Sequence, residues 1–300
     1  LTIVSSTLTN NFTNEASKGG GAIYTHNGTT TISNSNISDN KVHDSGGGGG
    51  IYVGGTVEDA QFSLSHSAVT ENQVTHSLDS LTDVAGGINI NSTSATVTNS
   101  TISGNSAGRN GGGLWFSCLT ENDGYELLVL DGNTITNNTA SGIGVGVLAL
   151  LGNSPQMSNT IVAGNVAAAG DPDERDILGT FTSKGHNLVG VLGSDNYSFT
   201  NGTRGDLVGT VASPLNPHLG PLITDGVSLP IHRLTKRSPA LDAADPHKIR
   251  NRVDQRGLSG LGKTTYLPTF VGDPLIKHQI GLQLESVFVV PVDFQGDGDI

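Results

Sequence analysis

Ser100-Thr101-Ile102-Ser103-Gly104-Asn105 is the stretch on which the reading of this chain turns. Small polar residues alternate with a branched aliphatic one, and the run closes on Asn. Alternation with a period of two sends alternate side chains to one face, as a strand requires. The signature recurs at Ser6-Thr7-Leu8-Thr9-Asn10-Asn11, Ser35-Asn36-Ile37-Ser38-Asp39-Asn40, Ser67-Ala68-Val69-Thr70-Glu71-Asn72, Asn133-Thr134-Ile135-Thr136-Asn137-Asn138 and Thr160-Ile161-Val162-Ala163-Gly164-Asn165. The closing Asn falls at 11, 40, 72, 105, 138 and 165, with spacings of 29, 32, 33, 33 and 27. A second landmark is a glycine run entering an apolar strand, as in Gly19-Gly20-Gly21-Ala22-Ile23-Tyr24, Gly46 to Gly50 before Ile51-Tyr52-Val53, Gly86-Gly87-Ile88 and Gly111-Gly112-Gly113-Leu114-Trp115.

Helical arrays share such periods, so local chemistry has to choose. Gly, Asn and β-branched residues disfavour helix, and residues 1–165 carry no apolar stripe of period 3.6. Each unit therefore reads as one coil of a solenoid whose strands stack about 4.8 Å apart. The expected fold is all-β: a right-handed, single-stranded parallel β-helix with a C-terminal capping segment. Asn11, Asn40, Asn72, Asn105, Asn138 and Asn165 form its structural ladder, at corners where Asn tolerates left-handed backbone. The glycine runs are expected to supply positive φ and sharp bends. They lack the Lys-Ser/Thr of a phosphate-binding loop.

Composition agrees with this reading. Gly makes up 42 of 300 residues and charged residues only 14 %, which would suit disorder, but the fixed aliphatic beat excludes it. The net charge is −12, and residues 1–150 hold three cations against twelve carboxylates. Such a surface repels nucleic acid and anionic membranes. The single Cys118 cannot form an intrachain disulfide. No apolar run approaches the roughly 18–20 residues that span a bilayer, so no membrane insertion is expected here. The chain starts at Leu1 and stops within a motif, and it reads as a piece of a larger protein.

Past Asn165 the beat is lost, and prolines and basic residues appear. The expected division is coils over 1–180, a cap over 181–290 that covers the open end, and the start of a truncated repeat over 291–300. His186-Asn187-Leu188-Val189-Gly190, Gly205-Asp206-Leu207-Val208-Gly209, Leu219-Gly220-Pro221-Leu222, His232-Arg233-Leu234, Ser238-Pro239-Ala240-Leu241-Asp242-Ala243, Asp254-Gln255-Arg256-Gly257 and Ile280-Gly281 follow one another in this order. As a series, with Asn159 to Asn165 before it, this resembles the choice-of-anchor Q domain family. The stretch from Leu258 to Lys277 is longer and less basic than that family's pattern. The resemblance implies a pectin-lyase-like β-helix on a bacterial surface or secreted protein, and it brings no catalytic residues. Asp293-Phe294-Gln295-Gly296-Asp297-Gly298-Asp299 resembles the opening of an FG-GAP-type or dockerin-like calcium loop. Asp293, Gln295, Asp297 and Asp299 would then be oxygen ligands for Ca²⁺ in the full-length protein.

Candidate chemistry is sparse. A glycosidase needs two carboxylates about 5 Å apart for retention or 6.5–9.5 Å for inversion. Asp39 and Glu71 precede the ladder Asn in adjacent coils, so stacking brings them near the smaller separation. Asn10, Gly104, Asn137 and Gly164 fill the same column, as an ordinary solvated corner would. A polysaccharide lyase would want a cationic base, for which Arg109 is the candidate among the coils. Tyr24, Tyr52 and Trp115 either form a sugar-stacking strip or cover coil edges. The histidines, among them His26, His43, His66 and His76, show no metal-ligand spacing. Arg233, Lys236, Arg237, Lys248, Arg250, Arg252 and Arg256 interleave with Asp242, Asp245 and Asp254, which suggests internal ion pairing. The reading leans away from catalysis toward an extracellular or cell-surface, adhesin-like module that spaces further domains of the same chain. A polysaccharide or cell-surface ligand is its expected partner, and a carbohydrate-cleaving or carbohydrate-binding flank is the alternative.

Overall fold

The computed structural model describes residues 1–14, 19–43, 47–55, 60–75, 84–91, 93–117, 128–142, 144–150, 155–167, 176–193, 198–224, 226, 228–245 and 255. The candidate calcium ligands Asp293, Gln295, Asp297 and Asp299 lie outside them. So do Cys118, His76, Lys248, Arg250, Arg252, Asp254 and Arg256.

Within Leu1–Leu267 the chain is an all-β, parallel, coiled solenoid. Each coil contributes one strand to each of several stacked rows. The first row runs Thr2–Val4, Gly28–Ser33, Ala60–Ser65, Ser94–Thr98, Leu128–Asp131, Gln156–Ser158 and Thr182–Gly185. The second holds the quoted motif: Thr7–Thr9, Asn36–Ser38, Ala68–Thr70, Thr101–Ser103, Thr134–Thr136, Ile161–Val162, Leu188–Leu192 and Leu207–Thr210. A third runs Ile23–His26, Ile51–Gly54, Ile88–Asn91, Leu114–Ser117, Val147–Leu150 and Ile177–Leu178. Short strands from Phe12–Thr13 to Val166–Ala167 form a fourth.

The register stacks like on like. In the second row Leu8, Ile37, Val69, Ile102, Ile135, Val162 and Val189 lie in one column. Ile37, Val69, Ile102, Ile135, Val162 and Val189 are fully buried, and they join Ile32, Leu64, Ile88, Leu114, Phe116 and Leu130 in one continuous core. A slip by one residue would turn each aliphatic side chain outward, so burial fixes the register.

The ladder is present, and each inner rung is fully satisfied. The Nδ2 of Asn11, Asn40, Asn72, Asn105 and Asn138 donates to the Oδ1 of the next Asn at 2.8–2.9 Å. The backbone N–H of each donates to the same oxygen at 3.0 Å. From Asn40 onward the second Nδ2 hydrogen reaches back to a carbonyl of the preceding coil, as from Asn105 to Val69 at 2.9 Å.

Two local expectations need correcting. Positive φ belongs to the residue before each ladder Asn: Asn10, Asp39, Glu71, Gly104, Asn137 and Gly164. The ladder Asn itself must present its N–H and amide together to the next coil. The glycines of the early runs, in turn, are required by crowding. A Cβ on Gly48 would sit 1.8 Å from the Ile51 carbonyl oxygen, and one on Gly86 would sit 2.4 Å from that of Gly112. Gly111, at φ 62°, does fill the bending role.

The stacked strands also run on beyond residue 180, through Thr182–Gly185, Leu188–Leu192 and Leu207–Thr210. Two carboxylates close the side-chain ladders, Asp176 and Asp206. Asp176 Oδ1 accepts from both the N–H (3.0 Å) and the Nδ2 (2.7 Å) of Asn165, ending the Asn ladder. A second ladder starts each motif: the N–H of Ser6, Ser35, Ser67, Ser100, Asn133, Thr160 and Asn187 donates to the side-chain oxygen of Ser35, Ser67, Ser100, Asn133, Thr160, Asn187 and Asp206 respectively.

Removing an inner rung strands several buried polar groups together, whereas removing Asn11 costs Asn40 one partner. Unfolding of Asn105→Ala in urea should show a loss of about 3–5 kcal/mol, against about 1 kcal/mol for Asn11→Ala, since each unpaired buried group costs about 1–3 kcal/mol.

Candidate functional site

Outward-facing positions of the second row change character along the stack. Asn36, Thr101 and Thr134 are polar, with the small Ala68 between the first two, whereas Ile161 and Leu188 in the same column are large, apolar and, like Thr101 and Thr134, buried. They are covered from outside. Leu234 and Ala240 pack on Ile161, Ala163 and Leu188, with Leu215, Leu219 and Leu241 at the margin. Leu219–Ile223 and Ile231–Leu234 form an antiparallel hairpin along this flank. The part of the expected cap that is described from Leu215 to Asp245 thus covers the side of the stack. The reason is the apolar surface formed by Ile161, Ala163 and Leu188.

Polar contacts pin the same segment. Ser103 Oγ and His232 Nε2 are 2.8 Å apart, and His232 Nδ1 lies 2.8 Å from the Gly220 carbonyl oxygen. Thr101 Oγ1 donates to Gln255 Oε1 at 2.6 Å, and Gln255 Nε2 donates to the Pro230 carbonyl at 3.0 Å. Asp245 N–H donates to Asn159 Oδ1 at 2.9 Å. His186 Nδ1 lies 2.9 Å from the Ala243 carbonyl.

Where the hairpin tip passes the second and third coils it leaves a cleft of ≈ 250 Å³. One wall holds Asn36, Ser38, Asp39, Thr70 and Glu71, and the other Thr224, Gly226, Ser228 and Pro230. The structure therefore does bring Asp39 and Glu71 together. Ser38 pairs with Thr70, so the two carboxylate residues occupy adjacent rungs, about 4.8 Å apart along the stack. Both are exposed, and both sit at left-handed corners, φ 56° and 57°. The Glu71 side chain lies over Gly104, where a Cβ would come 3.3 Å from its Cγ. No aromatic or cationic side chain lines the cleft among the described residues.

The other candidates are elsewhere. Arg109 follows the short strand Ser106–Ala107, and its carbonyl accepts from Gly142 N–H, away from the cleft. Tyr24, Tyr52 and Trp115 do lie in one outward column of the third row, with Asn89 between the last two. Tyr24 is 51 % exposed and stacks on Tyr52 with ring centres 5.2 Å apart, but Tyr52 and Trp115 are buried. Trp115 packs with Ala85 and Leu148. The column thus covers coil edges and exposes one ring. Among the described residues no three His, Cys, Asp or Glu side chains converge on a position that could hold a metal.

Sequence reasoning missed the two ladder-ending carboxylates. Burial pushes the Asp176 carboxyl up to about 6, opposed by hydrogen bonds from Asn165 and from the N–H of Val191. The available signal was chemical: an acceptor-only side chain ends a donor chain cleanly.

A model of the Chlamydia polymorphic membrane protein repeat matches residues 5–26. Those residues span the first ladder position and the first glycine run. No curated protein and no solved structure matches the chain. The class defined by fold and flank is a parallel β-solenoid with side-chain ladders. No helix among the described residues is long and apolar enough to cross a membrane.

Two expectations follow. Left-handed backbone costs a non-Gly residue roughly 1–2 kcal/mol, and Asn bears it better than Glu. Glu71→Asn should therefore stabilise the chain by about 0.5–1 kcal/mol in urea unfolding, while Asp39→Asn stays within about 0.5 kcal/mol of the parent. Asp176 binds its proton more tightly folded than unfolded between pH 3.8 and about 6. Its contribution is greatest below that window and falls as pH rises through about 6, by about 3 kcal/mol in all. Subtracting the pH 4.5–7.5 stability profile of Asp176→Asn from that of the parent should show this decline.

Proposed function

We propose that this chain is a non-catalytic structural or adhesin-like module of an extracellular or cell-surface bacterial protein, a right-handed, pectin-lyase-like β-helix that spaces or presents other domains. The supporting observation is the pair of side-chain ladders, which tie every coil from Ser6 to Asp206 to its neighbour. Such continuous buried bonding suits a stiff spacer. The likeness of residues 5–26 to a repeat of a polymorphic membrane protein supports a bacterial, membrane-associated parent. The order of motifs from His186 to Ala243 supports membership of the choice-of-anchor Q group. Calcium binding by Asp293, Gln295, Asp297 and Asp299 of the full-length protein, and contact with a polysaccharide or cell-surface ligand, belong to the same proposal.

The cleft bearing Asp39 and Glu71 favours a second reading, carbohydrate binding or cleavage on the flank. Incubation with neutral and acidic polysaccharides, with and without Ca²⁺, separates the two. The structural reading expects neither retention nor release of reducing or unsaturated ends. Release that disappears in Asp39→Asn or Glu71→Gln would make the chain an enzyme, and retention without release a binding module.

A further inference from the structure

We propose that the hairpin Leu219–Leu234 is an acid-released strap, docked on the coil flank at neutral pH and lifting from it in mildly acidic solution while the coils stay folded. The geometry turns on His232. Its ring is fully buried between the hairpin and the coil. The Gly220 carbonyl oxygen can only accept, so Nδ1 carries the proton and Nε2 accepts from the Ser103 hydroxyl. Both nitrogens are thus committed in the neutral form. A second proton would make Nε2 a donor, force Ser103 to turn its hydroxyl away, and seal a cation under the hairpin.

Among the described residues no carboxylate is bonded to the ring to balance that charge. From the coil it meets the Ser103 hydroxyl, with Thr101 two residues before it on the same outward face, and neither is ionisable. From the C-terminal segment comes the Gln255 amide, bonded to Thr101 and Pro230. On the hairpin the neighbouring charge is the exposed Arg233, of the same sign, and the half-buried His218 lies where the hairpin begins. Asp39 and Glu71 line the cleft at the hairpin tip with Thr224 and Pro230, Glu71 lying over Gly104, and neither carboxylate is hydrogen-bonded to the His232 ring. Burial holds His232 below its ordinary 6.5, opposed by the bond to Gly220. A lowered base binds its proton less well docked than released. The docking contribution is therefore complete above 6.5 and falls as pH drops below it. Asp176 responds in the opposite sense, its buried carboxyl favouring the folded coil as acid is added. The two groups let one element loosen while the other tightens. Lifting uncovers Ile161, Ala163 and Leu188 and opens the wall of the Asp39–Glu71 cleft.

Hydrogen–deuterium exchange of the 300-residue chain from pH 7.5 to 4.5, corrected for intrinsic exchange, reads this directly. Peptides covering 219–234 should lose at least tenfold in protection below pH 6, while peptides covering 97–107 keep theirs. His232→Gln, neutral throughout, should hold hairpin protection constant. The proposal fails if parent hairpin protection is independent of pH, if His232→Gln shows the same loss, or if hairpin and coil open together. Should His232→Gln be unprotected already at pH 7.5, Ser103→Ala decides: it keeps the titrating ring, so acid-dependent loss supports the strap and a flat profile overturns it.

Discussion

The whole stack rests on a side-chain amide that can give and receive in the same direction the coils are laid down. Asn offers two N–H groups and one strong acceptor, and at the same corner of successive coils it fills the bonds of both neighbours. The backbone N–H beside it, which the turn would otherwise strand, joins the same oxygen. Ser and Thr do a smaller version of this in the second ladder, each hydroxyl accepting an N–H and donating two residues back, as Ser67 does to Ser65 at 2.7 Å. Corners of a solenoid break the backbone ladder, and buried polar groups there must be met by side chains. That requirement explains why these positions are so uniform when the surface is not.

The ladder has a direction, and the ends differ for that reason. At the start, Asn11 is exposed and donates onward to Asn40. At the far end the last donors need an acceptor with no donor duty of its own, which a carboxylate supplies in Asp176 and again in Asp206. The charge is costly to bury, which is visible in the raised Asp176 carboxyl. The flank has its own logic. An outward column that turns from Thr134 to Ile161 and Leu188 needs cover, and the hairpin answers it. Covering the flank with a polar-tipped hairpin creates the cleft, so the place where Asp39 and Glu71 meet a second wall is a consequence of packing several coils away.

The repeat, its length, the strand alternation and the Asn column were legible because each is a local pattern repeated at fixed spacing. The pairing of Asp39 with Glu71 was legible for the same reason: adjacent rungs follow from counting. What the column could not reveal was that Thr224 to Pro230 would face them. Nor did it show that His232, far along the chain, would seek out Ser103. The Ser column stood in the quoted motifs, but a hydroxyl in a strand is too common to be read as a rung without knowing its neighbour. Positive φ was assigned one residue late, because Asn is favoured both in left-handed corners and in ladders, and sequence does not say which role an Asn has.

By itself, then, the sequence determined the architecture between Ser6 and Asn165, since short-range alternation and a regular beat encode strands, corners and register together. Only the tertiary structure decided where the stack ends, because Asp176 and Asp206 close the two ladders at spacings of 11 and 19 residues that no repeat would announce. It alone decided that the segment from Leu215 to Asp245 lies along the side of the coils. That choice depends on an apolar surface assembled from Ile161, Ala163 and Leu188, residues of two coils that become one patch only after stacking.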